Sequence, residues 1–235
     1  QTCALPILQQ VFRLAKKLGN FNTNVLLTGE SGVGKDEVAK FIHKNGLRAS
    51  KPYVAVNCGA VPENLLESEL FGYENGAFTG ALKCGKKGLF EQAEGGVLFL
   101  DEVAEIPQSL QVKLLRALEN REIMRLGGTK LIPLNVRIIA ATNQDLPAMV
   151  KNGSFREDLY YRLNVVNIRI PSLRERKDEI PLLCLKFVHY YNRQYGENKK
   201  MTYPVIREFE KYSWPGNIRE LKNVIENMFV LSDGE

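Results

Sequence analysis

The chain has 235 residues, of which 44% are apolar and 25% charged, and its 32 Lys and Arg against 27 Asp and Glu leave a net charge of +5. This is the composition of an ordinary globular protein, which argues against a disordered chain or a fibrous repeat, and no apolar run approaches the roughly 18 residues of a membrane-spanning helix. Cys3, Cys58, Cys84 and Cys184 lie far apart without a C-x-x-C pair, and only His43 and His189 accompany them, so neither a disulfide framework nor a structural zinc site is expected. The basic residues are mixed with acids along the chain, a pattern that permits nucleic-acid contact without arguing for it.

Gln1 to Ile7 resemble the translation of a sequencing-library adapter and are set aside as a non-native scar. The chain begins without Met and stops directly after a helical pattern, as a cut fragment would. No secretory signal is present, and unpaired cysteines fit a reducing cytoplasm.

In chain order, apolar runs predict strands at Val25–Thr28, Tyr53–Asn57, Val97–Asp101, Val136–Thr142 and Val165–Ile170. Val38, Phe41 and Ile42 after Lys35, and Leu110, Leu114, Leu115 and Leu118, fall at helical spacing. The alternation predicts an α/β fold, a mostly parallel sheet covered by helices. After Pro171 only helical patterns follow, at about 178–195, 202–213 and 217–231, which sets a subdomain boundary there. Asn217 with Glu220 three residues on reads as the N-cap of the last helix. Two glycine-bearing segments, 72–88 and 121–133, are expected to be exposed, functional loops.

Gly29-Glu30-Ser31-Gly32-Val33-Gly34-Lys35 follows an apolar strand and opens an amphipathic helix. Glycines let such a backbone curl its N–H groups around phosphate oxygens, the helix N-terminus adds positive potential, and Lys35 reaches the outer phosphates. The next position, where Ser or Thr would meet Mg²⁺, holds Asp36. Val97–Asp101 ends in the acid pair Asp101-Glu102, suited to holding Mg²⁺ and polarising an attacking water. Asn57 and Asn143 end two further strands, where each could equally be an ordinary turn residue.

These residues resemble the AAA+ ATPase domain of bacterial enhancer-binding proteins, the NtrC-like activators of sigma-54 RNA polymerase. The carrying motifs are residues 29–36, Gly-Ala-Phe-Thr-Gly-Ala at 76–81, Leu-Phe-Leu-Asp-Glu at 98–102, Ala-Ala-Thr-Asn at 140–143, Phe-Arg-Glu-Asp-Leu-Tyr-Tyr-Arg-Leu at 155–163 and Trp-Pro-Gly-Asn-Ile-Arg-Glu-Leu at 214–221. The hexapeptide at 76–81 discriminates this family from other AAA+ proteins. The resemblance implies a P-loop NTPase with a parallel five-stranded sheet over residues 8–171 and a small α-helical lid over 172–235. It also implies ATP and Mg²⁺ as ligands, with Asp36 a mild departure from the commoner Glu.

The roles implied by the resemblance are specific. Gly29, Glu30, Ser31, Gly32, Val33, Gly34, Lys35 and Asp36 bind nucleotide together with Arg219, the second sensor. Asp101 holds Mg²⁺ through water and Glu102 is the catalytic base. Asn57 restrains that glutamate, Asn143 senses the γ-phosphate, and Arg156 and Arg162 are fingers acting on the neighbouring subunit's nucleotide. Alone, each arginine would read as a surface salt-bridge partner. Gly76, Ala77, Phe78, Thr79, Gly80 and Ala81 form the loop that grips sigma-54, its aromatic ring flanked by glycines. Glu122 or Arg125 in the second pore loop relays nucleotide state, or is a solvated charge. The expected partners are sigma-54 and RNA polymerase holoenzyme and further copies of the chain, as a hexameric ring that is a dimer when inactive. Promoter DNA is reached through a domain outside this chain, and the expected location is the cytoplasm. Rival readings are an AAA+ chaperone and a catalytically idle nucleotide-sensing regulator.

Overall fold

Short runs of β-branched and aliphatic residues, each long enough to cross a sheet once, alternate with longer amphipathic segments that cover it. In the computed structural model, which describes residues 7–77 and 84–232, the elements are α1 (Ile7–Gly19), β1 (Val25–Thr28), α2 (Lys35–Lys44), β2 (Tyr53–Asn57), α3 (Glu63–Phe71), β3 (Gly72–Tyr73), β4 (Lys86–Lys87), α4 (Leu89–Gln92), β5 (Val97–Asp101), α5 (Gln108–Asn120), β6 (Glu122–Met124), β7 (Leu131–Pro133), β8 (Arg137–Thr142), α6 (Leu146–Lys151), α7 (Glu157–Leu163), β9 (Val166–Arg169), α8 (Ile180–Tyr195), α9 (Tyr203–Lys211) and α10 (Asn217–Leu231). Two compact units result. Among the described residues, the larger contains Phe12–Thr28 and Asp36–Arg169; the smaller contains residues 7–11, Gly29–Lys35 and residues 170–232.

The larger unit is built on the expected parallel five-stranded sheet, in the order β2-β5-β8-β1-β9. Asn57 pairs with Asp101 and Thr28 with Thr142, so the carboxyl ends of β2, β5, β1 and β8 share one edge. β8 is buried at every position. Leu98, Leu100, Ile138 and Ala140 form the core with Leu66 and Leu70 of α3, Leu110, Leu114 and Leu118 of α5, and Leu159 and Leu163 of α7. The Arg137 guanidinium is buried and meets no carboxylate among the described residues: it donates to Leu18 O at 2.9 Å and Thr23 O at 3.0 Å, and burial brings its pKa down to about 10.

Both glycine-bearing segments contain paired backbone where open loops were expected. Gly72 and Tyr73 pair antiparallel with Lys87 and Lys86, and a Cβ at Gly72 would collide with the opposing strand, which explains the glycine there. Residues 122–133 form the β6–β7 hairpin, turned by Gly127 at φ +70°, with Ile123 buried against the core. Strands this short carry too little alternation to be read from sequence.

In the smaller unit α8, α9 and α10 close over Leu173, Ile180, Cys184, Tyr191, Ile206, Trp214, Leu221, Ile225 and Phe229. The Trp214 indole N–H donates to Phe209 O at 2.7 Å, and burial raises the Cys184 thiol to about 11. Asn217 departs from its expected role. The N-cap of α10 is Gly216, and Asn217 is the first helical residue, left-handed at φ +55°, with its side chain turned elsewhere. Among the described residues no helix is long and apolar enough to cross a membrane.

Candidate functional site

In the chain, Gly29–Gly34 connect β1 to α2. Gly29, Gly32 and Gly34 have φ of +152°, +76° and +97°, a sequence of conformations that side chains other than glycine resist. Every carbonyl from Gly29 to Val33 accepts a hydrogen bond. Lys35 Nζ donates to Gly29 O at 2.8 Å and Glu30 O at 2.9 Å, Asn217 Nδ2 to Ser31 O at 3.0 Å, Ile218 N to Gly32 O at 3.0 Å and Arg176 Nη2 to Val33 O at 2.9 Å. In a trans peptide the following N–H points the opposite way, so the amides of residues 30–34 face away from these donors. None of those five amides makes a hydrogen bond of ordinary geometry among the described residues. A run of unpaired N–H groups at a helix N-terminus is a receptor for an anion such as phosphate.

The loop is also gripped by side chains. Arg174 and Asn217 both hold the Glu30 carboxylate, and their hydrogen bonds bring its pKa down to about 2. Arg219 Nη1 lies 2.9 Å from Ser31 Oγ, so the residue expected as second sensor touches the loop. A Cβ on Gly32 would stand 2.5 Å from Gly216 O, which requires glycine there. Asp36 lies on the exposed face of α2, paired with Lys40 at 3.2 Å.

In the larger unit, Asp101 and Glu102 stand at the carboxyl end of β5. Asp101 O accepts from Cys58 N at 2.9 Å, and Asp101 Oδ1 accepts from Glu102 N at 3.0 Å. Glu102 is left-handed, at φ +52°, a conformation that costs a non-glycine residue about 1 kcal/mol and is retained where the surroundings enforce it. Its carboxylate has no hydrogen-bond partner among the described residues; it lies over Gly59, where a Cβ would collide with it. Asn57 Oδ1 accepts from Gly59 N at 2.9 Å and Ala60 N at 3.0 Å and stands 3.5 Å from that same Cβ position, so Asn57 and Glu102 flank one glycine. Burial and the neighbouring Asp101 and Glu102 push the Cys58 thiol up to about 12. Asn143 is exposed just beyond β8. No three His, Cys, Asp or Glu converge among the described residues. Mg²⁺ held by one carboxylate, water and substrate phosphates needs no such cluster, so this donor set fits it.

Arg156 and Arg162 both lie where α7 runs beside α5. The Arg156 guanidinium is exposed and makes a forked pair with Asp158 at 3.0 and 2.6 Å. Arg162 donates to Leu118 O at 3.2 and 2.8 Å, closing the last turn of α5. Gln111, which sequence reading passed over, is wholly buried. It donates to Ile106 O and Ser154 O and accepts from Arg156 N at 2.8 Å, thereby setting the start of α7. A lone glutamine on an apolar helix face was the available signal.

Arg125 is no solvated charge: it forks onto Glu91 at 2.8 and 2.7 Å and reaches Glu74 at 3.2 Å. Glu122 stays half-buried in β6. Glu74 N donates to Leu126 O at 2.9 Å, and a Cβ on Gly127 would stand 2.9 Å from Ala77 Cβ, so the bases of the two glycine-bearing segments touch. Gly76 has φ +74°, with nothing among the described residues within 4 Å of where a Cβ would stand. Phe78, Thr79, Gly80 and Ala81 lie outside the described residues.

A family model described as the Sigma-54 interaction domain matches residues 3–169, and one described as the AAA+ ATPase lid domain matches residues 174–235. The chain is 49% identical over 230 residues to the transcriptional regulatory protein FlbD of Caulobacter vibrioides, covering 97% of this chain and 50% of that protein. It is 50% identical over 228 residues to the Nif-specific regulatory protein of Azotobacter vinelandii, covering 97% and 44%. It thus spans about half the length of the curated relatives it matches. Among solved structures, NtrX of Brucella abortus superimposes with a TM-score of 0.92 at 37% identity, covering 99% of this chain and 52% of that one. NtrX has also been solved in complex with ADP and with ATP. The fold is that of an AAA+ P-loop ATPase, and the chain belongs to the sigma-54 interaction domain family.

Proposed function

We propose that this chain hydrolyses ATP and uses the cycle to remodel a sigma-54 RNA polymerase promoter complex from closed to open. The observation that carries this reading is the glycine loop itself: its carbonyls from Gly29 to Val33 are all bonded, while none of the amides of residues 30–34 has a hydrogen bond of ordinary geometry among the described residues. Lys35, held by the loop's own carbonyls, has the reach to exchange them for phosphate oxygens. Glu102, left-handed and with no partner for its carboxylate among the described residues, orients and activates the attacking water. Asn57, across Gly59 from Glu102, restrains that carboxylate, and Asn143 reports the outer phosphate. Mg²⁺, held through water by Asp101, supplies charge neutralisation at the phosphates when bound.

Arg156 and Arg162 complete the site of a neighbouring copy, Arg156 leaving its exposed partner Asp158 and Arg162 leaving the Leu118 carbonyl. Such a contact repeats around an axis, which favours a closed ring, here a hexamer formed from inactive dimers. The segment 76–81 grips sigma-54, and the relatives named as transcriptional regulators support that partner. DNA is engaged by parts of the protein outside this chain, in the cytoplasm. Glu102→Gln and Thr79→Ala test the division of labour. The first is expected to bind nucleotide without turnover. The second is expected to keep ATPase activity within about twofold while sigma-54-dependent open-complex formation falls by at least about a hundredfold, as for loss of a central binding anchor. Equal loss of both activities in Thr79→Ala would overturn the assignment.

A further inference from the structure

The phosphate loop has three glycines at positive φ and one buried apolar anchor, Val33, so its own sequence does little to fix its shape. Two of its five carbonyl bonds come from Lys35, and those are surrendered when the ammonium turns to phosphate. The remaining three, at Ser31, Gly32 and Val33, all come from Asn217, Ile218 and Arg176 in the smaller unit. Asn217 is the junction of this set. Its side chain is wholly buried: Oδ1 accepts from Leu173 N at 2.8 Å, while Nδ2 donates to Ser31 O at 3.0 Å and Glu30 Oε2 at 3.1 Å. Its left-handed backbone, which asparagine tolerates better than most residues, aims the amide at the loop and forgoes a capping role.

We infer that Asn217 is a positioning residue that holds the phosphate loop in its anion-receiving shape, before nucleotide arrives and after Lys35 has let go. The inference rests on the reading of the loop as a nucleotide receptor. Asn217→Asp separates this role from a purely structural one. The carboxylate still accepts from Leu173 N, but it offers no donor to Ser31 O and sets a second negative charge against Glu30.

Titrated with Mg-ADP, the Asn217→Asp chain is expected to bind about tenfold or more weakly, the equivalent of one hydrogen bond to a charged group, with kcat at saturating ATP changed by less than about threefold. In nucleotide-free protein the Ile218 amide, which donates to Gly32 O, is expected to exchange about tenfold faster while the Leu173 amide keeps its protection. Adding Glu30→Gln to Asn217→Asp reverses donor and acceptor and is expected to recover part of the affinity. Affinity and Ile218 exchange within twofold of the unaltered chain would overturn the inference. If Asn217→Asp does not fold, Asn217→Ser decides in the same way, because it removes the amide donor to Ser31 O without adding a charge. An unaltered chain that binds no Mg-ADP instead overturns the nucleotide reading itself.

Discussion

Glu30 sits between Arg174 and Asn217, and its ionised form is favoured first by the Arg174 hydrogen bond and then by that of Asn217, moving its pKa from 4.5 to about 2. A carboxylate depressed in the folded state adds stability above its unfolded value, and that stability is lost as pH falls through the folded one. The contribution is therefore full above about 4.5 and gone by about 2. Urea midpoints measured through this window should fall more steeply in the unaltered chain than in Glu30→Gln, whose difference from it should shrink towards zero at the acid end. The partly exposed position of the Glu30–Arg174 pair makes the effect modest and salt-sensitive. Elsewhere single residues are set by space: Gly59 is glycine because the Glu102 carboxylate lies over it. The places of Lys35 at the head of α2 and of Asp101 and Glu102 at the end of β5 were legible from sequence, because a glycine-rich turn and an acid pair each follow an apolar strand. Gly59, Arg176 and the true partners of Asn217 were not, since each depends on segments far apart in the chain.

At the scale of elements, α5 and α7 are joined by polar contacts as well as by the leucines between them. Gln111 satisfies Ile106 O, Ser154 O and the Arg156 N–H within the core. Gln111→Ala leaves these groups buried without partners, at a cost of about 1–3 kcal/mol read from urea unfolding. It should also lower kcat more than it raises KM, because the backbone that presents Arg156 is no longer fixed. The long periodic helices α5, α8 and α10 were readable from apolar spacing, and α10 begins and ends at the residues that spacing marked. The short α4, α6 and α7 and the two hairpins were not. Two-residue strands such as Lys86–Lys87 have no alternation to detect, and they form because Gly72 lets the opposing backbones approach.

For the whole molecule, the proposed trans action of Arg156 gives a mixing test. Glu102→Gln and Arg156→Ala chains should each be inactive alone. Mixed in equal amounts they should recover about a quarter of the activity, since one interface in four then joins an intact Glu102 to an intact Arg156. A mixture as inactive as its parts would mean that the arginine acts within its own chain. The sequence by itself determined the parallel sheet, the glycine loop, the acid pair and the family, because each is written in residue types at short, fixed spacing. Only the tertiary structure decided that the carbonyls of Ser31, Gly32 and Val33 are tied to residues 217, 218 and 176, so that the amides after them face the other way. A backbone rich in glycine has no preferred shape of its own, so what holds it comes from residues brought to it by folding.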